Sequence, residues 1–240
     1  MANTYFQFKQ FTVHQEHCAM KVCTDACIQG AFTAQYLADN EITVPAILDL
    51  GAGTGLLSLM LAQQVDAAIT AVELDPGAAH QATQNFDDSP WADRLTLTRL
   101  DIRKLDGGVK YDFIISNPPF YEDALKSGQG KKDQAMHATH LTYRDLLAAI
   151  DQQLSPSGEV SILLPFDAFE QFRQLALAAG FYLKQVLYIR QSVTHGFFRT
   201  VGIFSRRTVN TVIHELSVYD DQRVYTPAFV QLLQPYYLYL

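Results

Sequence analysis

The sequence predicts a doubly wound α/β fold: a mostly parallel, seven-stranded sheet with crossover helices and an antiparallel C-terminal hairpin. Three observations carry this expectation. Short apolar runs alternate with longer helical ones from about residue 45 onward, the first run ends in a glycine-rich turn, and the last two are joined around His195-Gly196. The 240 residues are 48% apolar and 18% charged, an ordinary globular composition. A chain of that size withdraws roughly 70–75% of its surface from water, as one large domain or one domain plus a small appendage.

Ala46-Ile47-Leu48-Asp49-Leu50 reads as a short buried strand, and Leu56 to Val65 as the packed helix after it. Ile69 to Leu74 is the second strand. Asp75-Pro76 then supplies an N-cap and a first-turn proline for a helix toward Phe86. Leu95 to Leu100, Phe113 to Ser116 and Val160 to Leu164 are further strands, and helices over about 140–153 and 166–179 flank the last of them. The second of these helices ends at Gly180, as a helix with a C′ glycine does. Phe181 to Arg190 and Phe198 to Arg206 complete the sheet as a hairpin. Residues 1–40 are expected to form an amino-terminal segment packing on a main domain of residues 41–240. Residues 122–139 have linker composition, and a loop of that length in a compact domain is usually functional or mobile.

No run approaches the roughly 18 apolar residues of a membrane span, and Met1-Ala2-Asn3-Thr4-Tyr5 lacks the basic head of a signal peptide, so a cytoplasmic protein is expected. Cys18, Cys23 and Cys27 are an odd, clustered set. They lack a fourth ligand at metal-site spacing, with His14 and His17 poor substitutes, and are expected to be free, largely buried thiols with no metal. The net charge of −7 is unevenly spread: residues 36–123 hold 14 acids against 5 bases, leaving the rest at +2. Arg190, Arg199, Arg206, Arg207, Lys131 and Lys132 fall in base-rich stretches and form either a polyanion-binding rim or a solvated face.

Three motifs carry chemistry. In Leu48-Asp49-Leu50-Gly51-Ala52-Gly53-Thr54-Gly55 a strand runs into glycines that let a ligand approach the backbone at the carboxyl edge of the sheet, where Rossmann-like folds bind nucleotides. The spacing does not match the dinucleotide fingerprint, because Leu56 replaces its third glycine. Glu73 ends the next strand, where a carboxylate accepts hydrogen bonds from both ribose hydroxyls, and Asp101 ends the third, within reach of an adenine amino group. In Ser116-Asn117-Pro118-Pro119-Phe120 the prolines remove donors and hold the chain extended. The free carbonyls and the Asn117 side chain therefore accept from an NH2 group while Phe120 stacks on a planar substrate.

These motifs together resemble the class I S-adenosylmethionine-dependent methyltransferases that act on amine or amide nitrogen. Phe8-Lys9-Gln10-Phe11, Cys18-Ala19-Met20-Lys21-Val22 with Thr24-Asp25, Ser89-Pro90-Trp91-Ala92 and the end of the chain from Phe229 to Leu240 extend the likeness. They resemble the bacterial tRNA1(Val) (adenine-37-N6)-methyltransferases over essentially the whole chain. The resemblance implies S-adenosylmethionine held by Asp49, Gly51, Gly53, Gly55, Glu73 and Asp101, with Lys21 and Thr24 of the amino-terminal block beside it. It also implies methyl transfer to the N6 amine of adenine 37 in tRNA, with Asn117, Pro118 and Phe120 as catalytic residues and the anticodon loop as partner. The amino-terminal block is either a lid over the cofactor, an RNA contact, or a first helix through Phe32 to Leu37 capped by Thr24 or Asp25. Rival readings are methyl transfer to a protein glutamine or to rRNA, and a noncatalytic nucleotide-binding module.

Overall fold

The structure is a computed structural model that describes residues 3–18, 20–40, 42, 44–118 and 141–240. An amino-terminal hairpin of β1 (Tyr5–Gln7) and β2 (Thr12–His14) precedes helix α1 (Thr24–Asp39). Then follow β3 (Ala46–Leu50), α2 (Leu56–Gln64), β4 (Ala68–Glu73), α3 (Pro76–Asp87), β5 (Leu95–Arg99) and β6 (Tyr111–Ser116). After residues 119–140 come α4 (Tyr143–Gln153), β7 (Leu154–Pro165), α5 (Phe166–Ala178), β8 (Tyr182–Ser192), β9 (Phe197–Ser205), β10 (Val212–Tyr219) and α6 (Pro227–Leu233). The main sheet has the order β10-β8-β9-β7-β6-β3-β4-β5. All its neighbours are parallel except β9, which runs antiparallel to both β7 and β8.

The doubly wound class and the C-terminal hairpin are therefore as expected, and one more strand extends the sheet. β10 pairs in parallel with β8, from Val212 opposite Gln185 to Tyr219 opposite Ser192. Its sequence, VIHELSVY, alternates because one face is covered and the other exposed. The β7 ladder also begins earlier than expected, at Leu154, and α4 is fixed by a capping box between Thr142 and Asp145.

Each face of the sheet has its own core. α1, α2, α3 and α6 cover one face through Ile28, Phe32, Leu59, Met60, Phe86 and Phe229; α4 and α5 cover the other through Leu146, Ile150, Phe169 and Phe172. Three distant sequence blocks meet beneath α6. Phe8 stacks on Phe11 at 4.5 Å, Trp91 meets Phe11 edge-on at 5.8 Å, and Tyr237 lies 5.9 Å from Phe8, whose backbone it also bridges.

Two expectations about the amino-terminal block are corrected. The N-cap of α1 is Cys23, without a side-chain cap bond, while Thr24 and Asp25 lie inside the first turn. There Asp25 faces the helix dipole favourably and pairs with Arg199 at 2.8 Å. The cysteines are not uniformly buried: Cys27 is, Cys18 is half-buried and Cys23 is exposed. Partial desolvation, reinforced by Glu73 and Asp75, pushes the Cys18 thiol up to about 11. Cys23, exposed as a residue, has its thiol packed beside Asp25, and desolvation there with the Asp25 charge pushes it up to about 12, so none of this favours reactive thiolates.

Candidate functional site

The carboxyl ends of β3, β4 and β6 lie side by side, and each contributes one part of the site. Beyond Leu50 the chain turns through Gly51 (φ +75), Gly53 (φ +56) and Gly55 (φ +79), a left-handed run that L side chains rarely adopt. The turn is pinned from below: Gly51 and Ala52 N–H both donate to the Val72 carbonyl, at 2.8 and 3.1 Å. A side chain on Gly51 or Gly53 would project into open space, whereas one on Gly55 would strike the Phe86 ring at 2.4 Å.

Glu73 organises this loop as well as facing it. One carboxylate oxygen accepts from Gly53 N–H and the other from Asp75 N–H, both at 2.8 Å. Asp75 in turn caps α3 by accepting from Ala78 N–H at 2.8 Å. Asp49 lies wholly buried below the loop. Ser58 Oγ donates to one of its oxygens at 2.7 Å, and the other has no hydrogen-bond partner among the described residues. Burial, which outweighs the Ser58 hydrogen bond, pushes the Asp49 carboxyl up to about 7, with the Glu73 charge adding to the rise.

Asp101, just beyond β5, caps a short turn and accepts from Arg103 N–H, Nε and a terminal guanidinium nitrogen at 2.6–3.1 Å. Those hydrogen bonds hold its carboxyl below the usual range and fill its acceptor capacity.

At β6 the Ser116 side chain donates to the Leu50 carbonyl at 2.7 Å, tying this strand end to the start of the glycine turn. Gln29 of α1 is fully buried and donates to the Ser116 carbonyl at 2.9 Å. Asn117 follows with its side-chain oxygen buried and without a partner among the described residues, and Pro118 beside it is buried. A buried acceptor left unpaired costs about 1–3 kcal/mol, so this oxygen is a ready receptor for an N–H donor. Phe120, Lys131 and Lys132 lie outside the described residues.

The amino-terminal strand and strap cross above this edge. Asn85 of α3 exchanges two hydrogen bonds with the His14 backbone and donates a third to the Thr54 carbonyl, all at 2.9 Å, so one buried amide joins hairpin, helix and glycine turn. Further along, His17 N–H donates to Gln81 at 3.3 Å. Lys21 donates to the Asn3 carbonyl at 2.9 Å, and Thr24 bonds the Tyr237 hydroxyl, so neither side chain is engaged with the glycine turn. Gln29, Gln81 and Asn85 went unrecognised in the sequence; the only available signal was a polar residue on the apolar side of a helix.

The basic residues do not gather into one rim. Because β9 is antiparallel, Arg199 lies at the active edge opposite Pro165, while Ser205 pairs with Glu159 at the far edge. Arg206 and Arg207 follow Ser205 and lie there too, with Arg206 bound to Asp151 at 2.7 Å. A rim around Asn117 that includes them is ruled out by strand direction. Arg190 and Arg199 are at the correct edge, but each is ion-paired, with Glu215 at 3.1 Å and Asp25 at 2.8 Å respectively.

A sheet whose one antiparallel strand, β9, is third from the β10 edge, a glycine turn after its central strand and an amine acceptor on the adjacent strand end define a methyltransferase. The family model described as "Methyltransferase small domain" matches residues 31–181. A crystal structure of a predicted O-methyltransferase from Agrobacterium tumefaciens superposes with a TM-score of 0.62 at 16% identity, over 88% of this chain and 96% of that one. Among curated relatives, the tRNA1(Val) (adenine(37)-N6)-methyltransferase of Dyadobacter fermentans is 42% identical over 98% of both chains. That of Cytophaga hutchinsonii is 38% identical over the full length of both. The chain belongs to the tRNA1(Val) (adenine(37)-N6)-methyltransferase family.

Proposed function

We propose that the protein transfers a methyl group from S-adenosylmethionine to the N6 amine of adenine 37, next to the anticodon of a valine tRNA. The observation that carries the chemistry is the buried Asn117 oxygen, unpartnered among the described residues, on a strand end tied directly to the glycine turn. The residues fit the cofactor: the open space over Gly51 and Gly53 leaves room for a ligand against bare backbone, and each Glu73 oxygen, accepting one N–H, keeps a further lone pair. Glu73 would hold the ribose hydroxyls with the lone pairs that Gly53 and Asp75 leave unused. Asp101 would take the adenine amine once Arg103, which is partly exposed, releases an oxygen. When bound, S-adenosylmethionine supplies an electrophilic methyl on a sulfonium; the N–C bond forms as the S–C bond breaks, and S-adenosylhomocysteine leaves.

The target amine is a weak nucleophile because its lone pair is delocalised into the ring. Asn117 Oδ1 and the Pro118 carbonyl accept its two N–H groups, favour a more tetrahedral nitrogen and aim the lone pair. Positioning by preorganised dipoles supplies most of the rate, and the proton, acidic only as the bond forms, passes to solvent without an obligatory base. Phe120 is assigned to stacking on the adenine splayed from the loop. Gln29 positions Asn117 through the Ser116 carbonyl.

We read residues 1–40 as a segment packed on a catalytic unit of residues 41–240, and the cytoplasm, where tRNA is modified, as the working location. Among the described residues no helix is long and apolar enough to cross a membrane. The test is transfer of labelled methyl from S-adenosylmethionine to bulk tRNA lacking its adenine-37 methylation, with the labelled nucleotide mapped. Label at adenine 37 of valine tRNA is expected; label elsewhere in RNA, or only on a protein glutamine, refutes the reading.

A further inference from the structure

Beside the Asn117 edge, on the α5 face of the sheet, three aromatic rings form a cluster that the methyl-transfer chemistry does not use. Phe166, the first residue of α5, lies 5.6 Å from Tyr188 and 5.5 Å from Phe197, and Tyr188 lies 5.4 Å from Phe197. The Arg190 guanidinium caps the group, 5.2 Å from the Phe197 ring. Phe198, next in sequence, has the Arg199 guanidinium 5.4 Å from its ring. Phe166 is 37% exposed and Phe198 39% exposed, a large apolar surface for two rings at the end of a sheet.

A β-bulge builds this arrangement. Arg199 is opposite Ile189, yet Phe197 is opposite Arg190, so Phe198 is an extra residue in β9. Strand alternation would place Phe197 on the same face as Arg199, Val201 and Ile203, toward α1. The extra residue reverses it onto Tyr188, Arg190 and Phe166, and leaves Phe198 standing out from the edge. Plain continuation of the strand would have covered Phe197 and broken the cluster. The cluster is also close to the chemistry: Ser116 is opposite Ile162 on β7, so Pro165, and Phe166 after it, lie only about 10 Å further along the same edge.

We propose that Phe166, backed by Tyr188, Phe197 and Arg190, and Phe198, against Arg199 at the same sheet edge, form a stacking platform for unpaired nucleotides that flank the methylated adenine. This rests on the function proposed above, since the occupant is taken to be a loop of the substrate RNA. Planar rings joined to guanidinium groups at an edge fit a nucleobase, whose faces stack on both. Glu215 and Asp25 neutralise the two arginines, so the platform holds bases through stacking and adds little phosphate attraction. It thus supplies an RNA contact where the continuous basic rim is missing.

The test compares two labelled RNAs, the unmodified anticodon stem-loop of the valine tRNA and a blunt duplex of its stem, against the full chain and its Phe166→Ala and Phe198→Ala variants. Each variant should bind the stem-loop about 5-fold to 100-fold more weakly, the range of one lost base stack. Duplex affinity, the salt dependence of stem-loop binding and cofactor affinity should not move, and Phe166→Trp should restore binding. Unchanged stem-loop affinity in both variants overturns the platform; so does an equal loss on the duplex, or a wild-type protein that does not prefer the stem-loop. If the wild type binds the stem-loop through these rings but methylates no adenine in it, the platform stands and the proposed substrate position falls.

Discussion

Alanine at each of the three turn glycines should separate the roles of adjacent residues that look alike in sequence. At Gly55 the cost is twofold: an L residue at φ +79 costs about 1–2 kcal/mol, and a Cβ placed 2.4 Å from the buried Phe86 ring adds about 1–3 kcal/mol of overpacking. The sum, about 2–5 kcal/mol, lowers Tm by about 5–15 °C in a domain of this size. At Gly51 and Gly53 only the backbone cost applies, about 1–2 kcal/mol, because the added methyl meets nothing. That methyl instead occupies the space assigned to the cofactor, and should weaken S-adenosylmethionine binding at least about tenfold. Differential scanning fluorimetry of the apo variants and calorimetric titration of the cofactor measure the two quantities. The reasoning is refuted if Gly51→Ala or Gly53→Ala lowers the apo Tm as far as Gly55→Ala, or if both bind cofactor as the wild type does.

Asn117→Ala should abolish turnover yet leave S-adenosylmethionine affinity within a few fold; near-normal methylation by the folded variant removes its assigned role. Glu73→Ala should weaken cofactor binding by roughly 1–3 kcal/mol and, because it also frees Gly53 and Asp75 N–H, lower the apo Tm. A Tm drop with unchanged affinity would make Glu73 a loop brace alone. Because the Asp49 carboxyl is raised in the fold to about 7, its contribution to stability is fully present below its unfolded pKa and is lost as pH rises through about 7. Asp49→Asn should remove that part of the pH dependence, seen as a Tm difference from wild type that changes between pH 4 and 7; a constant difference contradicts it. Arg206→Ala with Arg207→Ala should leave tRNA affinity and its salt slope unchanged, whereas Lys131→Ala with Lys132→Ala should flatten the slope by about one unit or less per lost phosphate contact. An equal effect of both pairs would mean that RNA spans both edges of the sheet.

The sequence alone determined the frame and the local chemistry. Alternation of apolar runs and helices, the Asp75-Pro76 cap and the Gly51 to Gly55 turn are written in adjacent residues, because backbone conformation and strand-to-helix order depend mainly on short-range sterics and patterning. Whatever joins distant segments was decided only by tertiary structure. Two acids at successive strand ends, Glu73 and Asp101, cannot reveal that Glu73 braces its own loop, nor can Arg206 disclose that an antiparallel strand carries it away from Arg199. Asn85 and Gln29 are ordinary helix amides until their partners, 71 and 87 residues away, are placed against them. The aromatic residues of three separate blocks likewise gain meaning only where Phe8, Phe11, Trp91 and Tyr237 pack together. The physical reason is common to all of these: register, strand direction and buried hydrogen-bond partners are set by which faces can be desolvated together, and that is a property of the whole packed chain.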